Sequence, residues 1–101
     1  MTVALQGAYG KPRPALVIQS DVFAEHPSLT ILPMTSDVRE NLAFRITVEP
    51  TTLNGLRVRS QIMADKAHSV HREIIGEVIG SVGWEAMLAV NRALVMFLEL
   101  G

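Results

Sequence analysis

The chain has 101 residues, 49% apolar and 19% charged, which is enough for one core and too few for a second domain of ordinary size. A formal net charge of −1 excludes a globally basic nucleic-acid binder, so any polyanion contact has to rest on positive charge gathered locally. With no cysteine there is neither a disulfide framework nor a thiolate zinc site, which fits a reducing cytosol.

Met1 to Gln6 has no basic run ahead of an apolar stretch and does not read as a signal peptide. Thr2 to Leu5 is short and apolar and predicts a strand. The glycines and proline of Gln6 to Pro12 predict a loop after it. Ala15 to Gln19 is a continuous run of mostly branched side chains, the pattern of a central strand buried on both faces. Leu29 to Met34 predicts another strand. Pro33 has no N–H to give a ladder, so this strand is expected to lie at an edge or to bend.

Ala43 to Glu49 alternates, with Phe44, Ile46 and Val48 facing inward and Arg45, Thr47 and Glu49 facing out. Thr51 to Gly55 predicts a turn. Arg57 to Asp65 predicts a strand with Val58, Ser60, Ile62 and Ala64 on one face, and a short strand is expected near Gly76 to Ile79. From Gly83 or Trp84 to Leu98, Ala, Leu, Met and Glu dominate without a proline, which predicts a helix with Ser81 as its N-cap. Trp84, Met87, Leu88, Val95 and Leu98 form its predicted core stripe, and Val90, Leu94 and Phe97 widen the apolar surface enough to suggest a partner subunit. The most apolar segment, Ala86 to Leu98, is interrupted by Asn91-Arg92 and is well short of the roughly 20 residues that span a bilayer, so a soluble protein is expected. Five or six short strands and one terminal helix predict an α+β fold, a small antiparallel β barrel or curled sheet closed by the helix.

Gly10-Lys11-Pro12-Arg13-Pro14 leading into Ala15-Leu16-Val17-Ile18-Gln19-Ser20-Asp21 resembles the best-known segment of the MazF/PemK toxins, a glycine-bearing loop that delivers an Arg-Pro pair into the second strand. Leu29 to Ser36 resembles that family's third strand, Ser60 to Lys66 a later one, and Ile79-Gly80-Ser81 its run into the last helix. The resemblance implies an SH3-like barrel in a homodimer that cuts single-stranded RNA without a metal or other cofactor. It also implies inhibition by a cognate antitoxin whose acidic segment occupies the RNA groove. Carried over by position, Arg13 and Thr35 match the catalytic arginine and threonine, and Asp65 matches an acidic residue that acts as base in some members. Met63 stands where some members have a second arginine, so the division of acid and base roles stays open.

Metal-free RNA cleavage uses the neighbouring 2′-hydroxyl as nucleophile. The protein must remove its proton, protonate the leaving oxygen and offset charge on the phosphorus oxygens. Arg13 suits the last task because a guanidinium presents a planar fork of donors to phosphate. Without the family, Thr35 in a Thr-Ser-Asp cluster reads as turn chemistry, and Asp65 reads equally as a partner of Lys66 or Arg59. Lys11, Arg13, Arg57 and Arg59 are candidates for a local basic groove. Tyr9 would either stack on a base or pack its loop. Imidazole titrates nearest neutrality, which makes His26, His68 and His71 chemically reasonable acids or bases. His68 is the best placed of them for RNA, whereas two histidines lacking a third ligand make a poor metal site. Two other functions stay open: a member that binds RNA or antitoxin without cutting, and a non-enzymatic poison of DNA gyrase built on the same fold.

Overall fold

A computed structural model describes residues 1–5, 12–18 and 27–99. Among these residues seven strands form one antiparallel sheet: β1 (Thr2–Leu5), β2 (Arg13–Val17), β3 (Ser28–Thr35), β4 (Arg45–Val48), β5 (Ser60–Met63), β6 (His68–His71) and β7 (Ile75–Gly80). Among the described residues one α-helix, α1 (Trp84–Leu98), follows. The strand order is β4-β5-β3-β2-β1-β7, with β6 pairing to β3 beyond β5.

Period-2 alternation explains how the sheet buries both faces. Leu16, Leu32, Met34, Val48 and Ile62 point to the side covered by α1, where Val90 and Ala93 complete the main core. Their neighbours Val3, Ala15 and Ile31 point the other way and make a smaller cluster with Leu5, Val17, Val70 and Ile75. Phe44, Ile46 and Val48 pack inward as their alternation predicts, and Phe44 meets Phe97 of α1 edge to face at 5.0 Å.

Strand β2 lies in the interior of the sheet and begins earlier than predicted, so that Arg13 is already in the ladder opposite Leu5. Pro33 lies in interior strand β3 rather than at an edge. On its β5–β6 side the ladder has rungs at Ser28 to Ile31 and at Met34 and Thr35, and none at Leu32 or Pro33. The partner chain accommodates this gap with a 3₁₀ turn, Ala64–Lys66. The predicted strand Arg57 to Asp65 therefore shrinks to Ser60–Met63: Arg57 and Val58 stay outside the ladder, Val58 is exposed, and Asp65 sits in the turn. Strand β6, which the sequence did not predict, resumes the pairing three residues out of phase.

The barrel is not closed by strand pairing, since β4 and β7 end the sheet without bonding to each other. The β4–β5 loop bridges the gap. Asn54, nearly fully buried, accepts the Thr51 and Leu56 N–H groups at 3.0 Å each, donates to the Glu49 carbonyl at 2.9 Å, and receives the Thr2 hydroxyl on its own carbonyl at 2.9 Å. The Ser81 N–H donates to the Leu53 carbonyl at 2.9 Å. Gly55 has φ +70°, and a Cβ there would fall 1.9 Å from the Ile79 carbonyl oxygen, so only glycine lets the loop lie against β7.

The helix has its predicted span, but Gly83 rather than Ser81 is the N-cap and it contributes no side-chain bond. The predicted core stripe is also corrected. Val90 and Ala93 are buried, with Ala86, Met87 and Leu94 beside them, whereas Trp84 is 74% exposed and Leu88, Val95 and Leu98 face outward. Small residues at 86, 90 and 93 let the helix approach the sheet closely, and the large Trp84 would hold it off.

Candidate functional site

The face of the sheet opposite α1 carries, beside its small apolar cluster, the polar side chains of the candidate site. Residues directly opposite in an antiparallel ladder share a face. Leu5 opposes Arg13, Thr35 opposes Gln61, and Gln61 opposes Thr47. The β2–β3 ladder ends at the Ala15–Pro33 rung, and its register continued two places past that rung leads to Arg13 and Thr35. Thr35, Gln61 and Thr47 thus form a row across three adjacent strands, and Arg13 on β2 extends it on the same face.

Arg13 is exposed and its side chain makes no ion pair or hydrogen bond to the described residues. Thr35 Oγ1 accepts the Asp37 N–H at 3.1 Å, and its one O–H hydrogen remains available for an outside acceptor. The buried Gln61 is fully engaged: it donates to the Arg39 carbonyl at 2.9 Å and to Thr47 Oγ1 at 3.1 Å, and accepts the Arg39 N–H at 3.1 Å. These bonds fasten the segment after Thr35 to the sheet.

Asp65 is apart from this row, in the 3₁₀ turn packed against α1, and its Oδ1 is buried with no hydrogen-bond partner. It forms no ion pair with Lys66 or Arg59. His68 opposes Ile31 and shares the face of Arg13 and Thr35, but lies four residues down the strand, roughly 13 Å away at 3.3 Å per residue. Its Nδ1 donates to the Lys66 carbonyl at 2.9 Å. His71 is exposed at the far end of β6, and Arg57 is exposed in the loop before β5. Tyr9, Lys11 and His26 lie outside the described residues.

Beside the row opens a polar groove of about 280 Å³, lined by Arg39, Arg45, Thr47, Arg59, Gln61 and the Val38–Leu42 segment. Arg39 pairs with Asp37 at 3.0 Å and Arg59 with Glu49 at 2.9 Å, both in solvent. Sequence reasoning named Arg59 but missed Arg39, Arg45, Thr47 and Gln61 as lining residues. The alternation of β4 had turned Arg45 and Thr47 outward, but no motif marked them. A larger hollow of about 530 Å³ on the helix side includes Glu49 and Glu85, the wrong charge for phosphate. Among the described residues no group of three or more His, Asp or Glu could hold a metal ion, and no helix is long and apolar enough to cross a membrane.

Residues 1–98 match the family model described as PemK-like, MazF-like toxin of type II toxin-antitoxin system. A probable endoribonuclease MazF of Mycolicibacterium smegmatis is 40% identical over 100 residues, which span 98% of this chain and 92% of the relative. The structure of Mycobacterium tuberculosis toxin MazF-mt6 superposes with a TM-score of 0.84 at 26% identity, covering 99% of this chain and 97% of that one. An endoribonuclease in complex with its cognate antitoxin from a mycobacterial species superposes with a TM-score of 0.82, over 99% of this chain and 92% of the other. At 20% identity that second likeness concerns the fold.

Proposed function

The chain belongs to the MazF/PemK family of type II toxins, and on that premise we propose that it is an endoribonuclease cutting single-stranded RNA without a metal, by attack of the 2′-hydroxyl on the adjoining phosphate. The observation that supports this reading is that Arg13 on β2 and Thr35 on neighbouring β3 lie on the same face of the sheet, the one opposite α1. In the reaction the 2′-oxygen bonds to phosphorus and loses its proton, the 5′-oxygen leaves and gains one, and the products are a 2′,3′-cyclic phosphate and a 5′-hydroxyl. Arg13, unpaired among the described residues, offsets charge growing on the phosphoryl oxygens. The Thr35 hydroxyl, held by the Asp37 N–H, donates its hydrogen to the same group. Asp65 enters as general base on its family position alone, because the turn that carries it lies apart from Arg13 and Thr35.

The family assignment also supports a homodimer and a cognate antitoxin whose acidic segment covers the basic face. The exposed apolar side chains of α1, Trp84 foremost, support subunit pairing.

Substitutions at Thr35 test the assignment. Thr35→Ser keeps the hydroxyl and retains most of the cleavage rate, while Thr35→Val loses roughly 10²-fold, the usual effect of removing one preorganised donor. Equal rates in the two variants would remove Thr35 from the chemistry. Turnover, rather than binding, separates this reading from a member that binds RNA or antitoxin without cutting.

A further inference from the structure

The groove next to Arg13 and Thr35 contains an arginine that forms no ion pair among the described residues. Three guanidinium groups line it: Arg39 is paired with Asp37, Arg59 with Glu49, and half-buried Arg45 with no carboxylate among the described residues. Glu40 also lines the groove but forms no ion pair with Arg45.

Position is the second observation. Arg45 opposes Met63 in β4 and shares its face with Thr47, and hence with Gln61 and Thr35. The step from β3 through β5 to β4 is two strand spacings, roughly 10 Å at 4.8 Å each. Arg45 therefore addresses a group beside the scissile position rather than at it. The third observation is rigidity. Both N–H donors of the Gln61 amide and its carbonyl are used on Arg39 and Thr47, so the far wall of the groove is pinned to the sheet that carries Thr35.

We propose that Arg45 is a substrate-binding residue that holds a phosphate of the RNA strand flanking the scissile bond. This rests on the ribonuclease reading above and extends it by one subsite. A planar guanidinium on a strand, with part of its surface already desolvated, suits a phosphate better than the exposed, ion-paired Arg39 and Arg59 do. Polar Thr47 and Asn41 at the groove wall supply hydroxyl and amide groups that can bond the sugar or base attached to that phosphate.

The test compares wild type with Arg45→Gln, which removes the charge, and Arg45→Lys, which keeps it. The probe is a fluorescent 2′-O-methyl RNA oligonucleotide, which the proposed chemistry cannot cut. Anisotropy is followed across a salt series, and cleavage of the matching unmodified RNA is measured in parallel. Losing one phosphate contact should flatten the plot of log affinity against log salt by about 0.7 for Arg45→Gln and leave it unchanged for Arg45→Lys. In cleavage, Arg45→Gln should raise KM several-fold and leave kcat within about threefold, the pattern of a contact made equally in ground and transition states. Wild-type affinity and slope in Arg45→Gln would overturn the proposal. So would an unchanged RNA affinity with weakened binding of a polyglutamate peptide, which would assign the groove to an acidic protein partner. If wild type binds the oligonucleotide but cuts no RNA, the ribonuclease reading fails, and the salt slope still decides the role of Arg45.

Discussion

Replacing Asp65 should move stability and activity in opposite directions. Its Oδ1 is buried without a hydrogen-bond partner, in a three-residue 3₁₀ turn too short to draw support from a helix dipole. An unpaired buried acceptor costs about 1–3 kcal/mol, and the half-buried setting of the residue places Asp65 at the low end of that range. Asp65→Ala removes the oxygen and leaves little void at a partly open site, so it should stabilise the fold by about 1 kcal/mol. For a chain of this size that is a rise in Tm of roughly 5 °C. Asp65→Asn keeps an acceptor but not the charge, and should fall between the two. Urea melts with unchanged slope and a shifted midpoint would measure the effect cleanly. If Asp65 is the base, both variants should cut RNA about 10²- to 10⁴-fold more slowly while being more stable. A loss of more than about 1 kcal/mol in both variants would mean that Oδ1 has a partner in solution, and the reasoning from an unpartnered oxygen would be wrong.

Two predictions concern the loop that bridges the open side of the barrel. Asn54→Ala strips partners from the Thr51 and Leu56 N–H groups and the Glu49 carbonyl, and should cost about 3 kcal/mol in a denaturant melt, with the buried Leu56 N–H contributing most. Gly55→Ala combines a left-handed φ of +70° with a clash on the Ile79 carbonyl, and should cost at least about 2 kcal/mol, read as a lower thermal midpoint with cleavage retained below it.

Local pattern carried much of this architecture and failed where tertiary pairing decided. The alternation over Phe44 to Glu49 was legible because a half-buried edge strand must separate its faces. The span of α1 was legible because proline is absent from a run of good helix formers. Which side of α1 turns inward was not legible: apolar residues surround it, and the sheet selects the small Ala86, Val90 and Ala93 over the bulky Trp84. Ser81 has N-cap chemistry, but its N–H is already committed to Leu53 and Val82 is buried, so the helix starts two residues later at Gly83. His68-Ser69-Val70-His71 has one apolar residue and no strand signal of its own, and becomes β6 because β3 offers a free edge there.

The site was legible in part. Arg13 and Thr35 were proposed through motif context, and the fold puts them on one face of neighbouring strands, which spacing along the chain could not reveal. Gln61 and Arg45 read only as outward-facing strand residues. Their interest lies in what the structure brings to them: a clamp on the Arg39 backbone for one, and the lack of a carboxylate partner among the described residues for the other.

The central claim is that the face carrying Arg13 and Thr35 cuts RNA without a metal. The most direct test is to incubate the purified protein with a long unstructured RNA in excess EDTA, beside an Arg13→Ala control of matched thermal stability, and to map the ends. The expected result is discrete cuts bearing 2′,3′-cyclic phosphate and 5′-hydroxyl ends, reduced at least 10²-fold in the variant. Cleavage that requires added metal, or that is as fast in Arg13→Ala as in wild type, would contradict it.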